Sequence, residues 1–352
     1  MQYIVEGGRA AFEQLLKEAN ITRPFLVCGK HSFDLLPCRD WLPAGTKRFS
    51  EFSANPRMED IIPGAEMFRA SGCDGIVAIG GGSALDSAKC IKLFSGMEEG
   101  KIGLSQPFAD CRVPLMAVPT TAGSGSESTR FAVVYEKGVK QSVTHDSILP
   151  GFVLLDAELL ESLPVYQKKC TLLDALCQAI ESWWSRKCTG ESAFFARRAI
   201  ADILQALDGY LQGDVEAARL MLRGANRAGQ AINITTTTAA HAMSYKLTGL
   251  YGLPHGHAVA VCLPKVWRAL HAMGDNALRA RLDDIARTLG QENSLKGAAF
   301  MEELLEKLEM HAPAISGEDL PVLVDSVNPE RLSNCPAAFT KETLHALYAS
   351  LK

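Results

Sequence analysis

The chain has 352 residues, of which 47% are hydrophobic and 22% charged, with a formal net charge of -4. That length accommodates two domains of an ordinary globular protein. The slight acidity argues against nucleic acid as the main partner, and no apolar run reaches the roughly 18–20 residues that cross a bilayer. The first eight residues lack the basic-then-apolar pattern of a leader. Ten cysteines, none in a Cys-x-x-Cys pair, read as reduced thiols of a cytoplasmic protein, not as a disulfide framework or zinc knuckle.

In chain order, residues 10–19 carry a helical pattern, and residues 25–28 form a short buried strand ending at Gly29. Residues 58–71 read as a helix after the breaker Asn55-Pro56. Residues 75–79 are the next strand, which runs into Gly80-Gly81-Gly82-Ser83-Ala84-Leu85-Asp86-Ser87-Ala88-Lys89 and a helix to about residue 94. Three glycines between strand and helix strip the turn of Cβ atoms, so a ligand can approach the backbone. The helix start adds free N–H groups and a positive dipole end, which suits a pyrophosphate. The strict Gly-x-Gly-x-x-Gly fingerprint is absent. Residues 115–118 form another strand, leading into Pro119-Thr120-Thr121-Ala122-Gly123-Ser124-Gly125-Ser126-Glu127. That loop is rich in hydroxyls and small residues; it reads as a wrap for a sugar, phosphate or amide, or as a plain surface loop. Residues 131–135 and 140–144 flank a hairpin turn. Strands alternating with helices predict a parallel α/β sheet.

From about residue 165 long helical patterns dominate: 168–186, 192–211, 214–233, 239–246, 256–272, 276–289 and 296–307. The predicted architecture is an α/β dinucleotide-binding domain over 1–164 and an all-helical domain over 165–352, with a cleft between them. Asp174 and Gln178 sit one helical turn apart and share a face. His241 and His255 lie fourteen positions apart around a Gly- and Pro-containing turn, where they could meet Asp174 or serve as packing residues.

Taken together, Gly-Gly-Gly-Ser-x-x-Asp-x-x-Lys, Pro-Thr-Thr-Ala-Gly-Ser-Gly-Ser-Glu, the Asp174-Ala175-Leu176 helix and Pro254-His255-Gly256 resemble the iron-containing (group III) alcohol dehydrogenase family. The motifs follow the family's order from about residue 25 to 265. The segments Phe49–Pro56, 235–245 and 251–258 are similar to its phosphonoacetaldehyde reductase branch. The resemblance implies the two-domain fold, a nicotinamide cofactor and a divalent metal such as iron or zinc. Carried over by position, the metal ligands are Asp174, Gln178, His241 and His255. A histidine is expected at Gln178, whose amide is a weaker donor for zinc or ferrous iron. Gly81, Gly82 and Ser83 would hold the pyrophosphate; Asp86, Thr120, Thr121 and Ser124 complete the cofactor set. Gly29 and Lys30 follow the first strand where a carboxylate is expected, which favours NADPH and leaves NADH open. Tyr245, at a position where many members carry histidine, and His257 are the candidate proton donors.

The implied reaction is NAD(P)H-dependent reduction of a small aldehyde, phosphonoacetaldehyde first, with Arg130 and Lys246 as candidate anchors for its phosphonate. A homodimer is the expected assembly. The alternatives are a general short-chain alcohol dehydrogenase, a dehydroquinate-synthase-like lyase that regenerates its NAD, and a cofactor-binding protein without catalysis.

Overall fold

The computed structural model describes residues 2–98, 102–104 and 106–351. The chain divides into two compact units, Met1–Leu163 with Gly213–Leu222, and Pro164–Gln212 with Arg223–Lys352. In the first, β1 (Tyr3–Glu6), β2 (Pro24–Cys28), β3 (Lys47–Phe49), β4 (Gly75–Gly80), β5 (Leu115–Pro119) and β8 (Phe152–Leu155) form one sheet of order β1-β8-β5-β4-β2-β3. Every pairing in it is parallel. Strands β6 (Phe131–Glu136) and β7 (Val139–Thr144) make a separate antiparallel ribbon.

Period-2 alternation supplies both faces of this sheet. Phe25, Val27, Ile76, Ala78, Leu115 and Ala117 point into a core shared with helices α2 (Met58–Ser71) and α3 (Gly82–Ser95). Leu26, Cys28, Val77, Ile79, Met116 and Val118 point the other way, against Phe12 and Leu15 of α1 (Arg9–Glu18). The inner strands β2, β4 and β5 are those expected from their apolar runs. Strands β1, β3 and β8 were not expected. The first two are short edge strands with exposed residues, whereas β8, Phe152-Val153-Leu154-Leu155 after Pro150-Gly151, carried a readable apolar run.

The second unit is helical: α4 (Val165–Trp184), α5 (Gly190–Leu211), α6 (Val215–Thr235, entering from the first unit's segment), α7 (Ala239–Tyr251), α8 (His255–Met273), α9 (Asn276–Thr288), α10 (Ser294–Lys307), and three short helices α11 (Leu320–Asp325), α12 (Pro329–Ser333) and α13 (Lys341–Ala349). The last three went unread in the sequence. Helix α4 is buried all round from Leu172 to Trp184, so it is the unit's axis, with α5 and α8 packed against it. An α/β sheet unit followed by a helical one is the fold class expected from the sequence. Among the described residues no helix is long and apolar enough to cross a membrane. All ten cysteines are free thiols; Cys73, Cys111 and Cys188 are half-buried and the rest buried.

Candidate active site

In the first unit, the glycine turn and the Pro-Thr-Thr loop are built against each other. Thr120 N donates to Gly80 O at 3.0 Å. A Cβ on Gly81 would lie 3.2 Å from Thr121, and one on Gly82 would lie 3.1 Å from Ser124 Oγ. Gly80 holds a φ of +155°, and its Cβ would strike Ala84 at 2.6 Å. These contacts explain the glycines without a ligand, and they also leave the α3 N-terminus bare: Gly81 caps it with no side-chain hydrogen bond. Bare N–H groups with no Cβ in the way are what a pyrophosphate requires.

The loop is braced from below. Lys89 is fully buried and donates to Ser126 Oγ (2.8 Å), Thr129 Oγ1 (3.1 Å) and Phe131 O (2.7 Å). Asp86 accepts from Ser126 Oγ at 2.5 Å and from the Val133 amide at 2.9 Å. Burial lowers the Lys89 pKa to about 8 against the pull of Asp86. Asp86, expected at the cofactor, therefore spends its carboxylate on holding the loop. Ser83 Oγ donates to Ala54 O, tying the helix start to the Ser53-Ala54-Asn55 segment.

The turn after β2, Gly29–Ser32, carries no carboxylate of its own, but carboxylates from outside it lie close by. Lys30 Nζ lies 3.0 Å from Glu51. Arg48 donates to Gly29 O (3.0 Å), Lys30 O (2.7 Å) and Asp34 (2.7 Å). Cations and carboxylates are matched there: Arg48 comes from β3, Glu51 from just beyond it and Asp34 from a 3-10 turn, Phe33–Leu35. Arg130 pairs with the exposed Asp146 at 2.9 Å, so its charge is already answered. Lys246 is half-buried on α7, directly after Tyr245.

In the second unit, Asp174 on α4, His241 on α7 and His255 on α8 converge: their ligating atoms all lie within 4.8 Å of one another. Asp174 Oδ1 is 3.4 Å from His241 Nε2 and 3.9 Å from His255 Nε2. Gly256 makes this possible. Its Cβ would sit 1.9 Å from Cys170 O and 2.8 Å from the Asp174 Cβ, so only glycine lets the start of α8 touch α4 and deliver His255. Gln178 is buried one turn beyond Asp174 on α4. The Tyr245 ring stacks on His255, centroids 5.8 Å apart.

His257 faces elsewhere, because two residues along a helix is more than half a turn. Its Nε2–H donates to His311 O at 2.9 Å and its Nδ1 accepts from Tyr166 OH at 3.0 Å. Burial lowers its pKa. Both ring nitrogens are thus engaged with Tyr166 and His311, so Tyr245 is the proton donor carried forward.

The sequence reading missed Glu181, although it lies only three residues beyond Gln178 on α4, on the same face as Asp174. It is fully buried. Its Oε1 accepts from Thr238 Oγ1 (2.6 Å) and the Ala240 amide (2.9 Å), and its Oε2 meets His241 Nδ1. Burial alone would hold His241 low, but the carboxylates of Glu181 and Asp174 outweigh it and raise its pKa to about 9. Two buried carboxylates facing one imidazole make a pocket that attracts a cation. His241 Nε2 is buried and has no hydrogen-bond partner, so the donor set of Asp174, His241 and His255 fits a divalent cation.

A family model for the iron-containing alcohol dehydrogenases matches residues 2–157, and one for the C-terminal part of the same family matches residues 169–351. The chain belongs to the iron-containing alcohol dehydrogenase family and is an oxidoreductase of that family. It is 34% identical over 78% of its length to a probable alcohol dehydrogenase, EutG, of Escherichia coli, and 36% identical over 64% of its length to the phosphonoacetaldehyde reductase of Streptomyces viridochromogenes. These matches span 67% and 63% of the two relatives' own lengths. A solved sulfoacetaldehyde reductase from Bifidobacterium kashiwanohense, in complex with NAD+, is similar with a TM-score of 0.91 at 27% identity, covering 99% of this chain and 96% of that one.

Proposed function

We propose that the chain reduces a small aldehyde carrying an anionic tail, phosphonoacetaldehyde first, with a nicotinamide cofactor and a divalent cation. The observation that carries the oxidoreductase reading is the convergence of Asp174, His241 and His255 in a chain that also carries a bare, Cβ-free helix start. The anionic tail rests on two relatives that act on aldehydes of that kind. NADH is the first cofactor to try, since charges around Gly29 are matched and the sulfoacetaldehyde reductase was solved with NAD+; NADPH is the comparison.

When bound, the cofactor supplies a hydride and the cation a Lewis acid for the aldehyde oxygen. The chain's own part is placement. Gly81, Gly82 and Ser83 offer backbone N–H groups to the pyrophosphate, while Thr120, Thr121 and Ser124 border it. Asp174, His241 and His255, with Gln178 as an amide oxygen, hold the cation. Tyr245, fixed by its stack on His255, gives its phenolic proton to the forming alkoxide. Arg130 and Lys246 are the candidate phosphonate anchors; Arg130 must release Asp146 to act.

The test is a reductase assay with phosphonoacetaldehyde, sulfoacetaldehyde and propanal, each with NADH and NADPH. The reading expects net nicotinamide oxidation and a kcat/KM for an anionic aldehyde about tenfold or more above propanal, about 1.4 kcal/mol. Equal values for all three would reduce it to a general alcohol dehydrogenase. Turnover without net nicotinamide oxidation would make it a lyase.

A further inference from the structure

We propose that Glu181 is the positioning residue of the cation site: it holds a proton on Nδ1 of His241, so that the Nε2 position, beside Asp174 and His255, is the one left to give up its proton to a cation. This inference rests on the reading of those three residues as ligands. The donor set around Glu181 makes the case. A fully buried carboxylate is costly unless compensated, and among the described residues no lysine or arginine pairs with it. Its partners are instead two neutral donors on Oε1, Thr238 and the Ala240 amide, and His241 on Oε2. With Oε1 occupied by donors, the group facing Nδ1 is an acceptor, and the imidazole answers with a proton.

The frame behind Glu181 is over-determined. Trp184 Nε1, from the same helix, donates to Thr238 Oγ1 at 2.8 Å. The loop before Thr238 turns at Thr236, whose φ of +62° is rare for a β-branched residue. Asn334 pins that turn, donating through Nδ2 to Thr235 O (2.7 Å), Thr236 Oγ1 (3.0 Å) and Thr237 O (3.1 Å), while its Oδ1 accepts from Ser185 Oγ at 2.9 Å. Strain at Thr236 is thus spent on placing Thr238 and Ala240 against the carboxylate. Glu181 lies seven residues beyond Asp174 on α4, so one helix face carries both a ligand and the support of a second ligand. A carboxylate behind a ligating histidine fixes its tautomer and orientation.

The test is zinc binding by the chelator-stripped full chain, in competition with a chromophoric chelator at one fixed pH. Glu181→Gln keeps the shape, but its amide can donate to Nδ1 and so favour the tautomer with Nε2 protonated. Zinc affinity should fall roughly 10–100-fold, with the circular dichroism and melting temperature of the stripped protein retained. The visible spectrum of the cobalt-loaded variant should differ from that of the parent. Thr238→Val removes one donor and should lower affinity less, in the same direction. Parent-like zinc affinity and cobalt spectrum in Glu181→Gln overturn the inference; should that variant not fold, parent-like affinity in Thr238→Val overturns it. A parent chain that binds no zinc or cobalt overturns the cation reading itself, and the inference with it.

Discussion

The glycine turn and the helical cluster solve opposite problems. In the first unit, the surface offered to a ligand is backbone and hydroxyl, and the charged residues nearby are occupied internally: Lys89 and Asp86 brace the loop, and Lys30 is answered by Glu51. In the second unit, Asp174, His241 and His255 face one point, with the buried Glu181 behind His241. A charge near a site is therefore not evidence of a role in it. In the first unit the charges are used inside the fold; in the second they stand as the proposed holders of a cation.

Lys89→Met breaks that comparison most sharply if it is wrong. Removing one member of a buried polar cluster should cost about 3–5 kcal/mol of stability, read by denaturant unfolding, while zinc binding by the folded fraction stays unchanged. The pH dependence carries a sign. Lys89 has its pKa lowered to about 8 from 10.5, so between those values the unfolded chain binds more protons than the folded one, and this group's contribution to stability grows as pH rises. Lys89→Met should flatten that rise.

Asp174→Ala is the converse. It should lower aldehyde reduction roughly hundredfold or more, about 2.7 kcal/mol in the transition state, and weaken zinc binding, while stability of the metal-free chain holds. A large stability loss instead would mean that the cluster is structural. Gly256→Ala tests the close approach that joins the two helices. With Cys170 O only 1.9 Å from the new Cβ, overpacking should cost about 1–3 kcal/mol of stability and loosen metal binding by moving His255. The smallest effect belongs to the turn after β2. A Cβ at Gly29 would lie 2.2 Å from Ser32 Oγ, so Gly29→Asp is best made with Ser32→Ala. The pair should shift the NADH-to-NADPH ratio of kcat/KM severalfold toward NADH, on the order of 1 kcal/mol, by repelling a 2′-phosphate. No shift would show that the matched charges of Arg48, Asp34, Lys30 and Glu51 already decide the preference.

The motifs were readable because their chemistry is local. Glycines at a strand end, hydroxyls in a loop and a helical i, i+4 pair each carry their meaning within ten residues. The core strands were readable for the same reason. What escaped depended on distant partners. Glu181 looks like any helical glutamate until Thr238, Ala240 and His241 close on it from about sixty residues away. The internal partners of Asp86 and Lys30, Ser126 and Glu51, also lay outside their own motifs. His257 sits two residues from His255 in sequence, yet helical geometry turns it to His311 and Tyr166. The edge strands β1 and β3 are held by register to a neighbour more than by their own patterns.

Metal dependence of the reaction is the most direct test. Chelator-stripped protein is titrated with zinc or ferrous iron while bound metal and nicotinamide oxidation with a small aldehyde are followed together. The rate should start near zero and climb in step with binding to one metal per chain, and Asp174→Ala should stay flat across the same range. Full activity in the stripped parent, or restoration of Asp174→Ala to the parent's rate at the same metal concentration, would contradict the assignment of Asp174, His241 and His255 as the centre that activates the aldehyde.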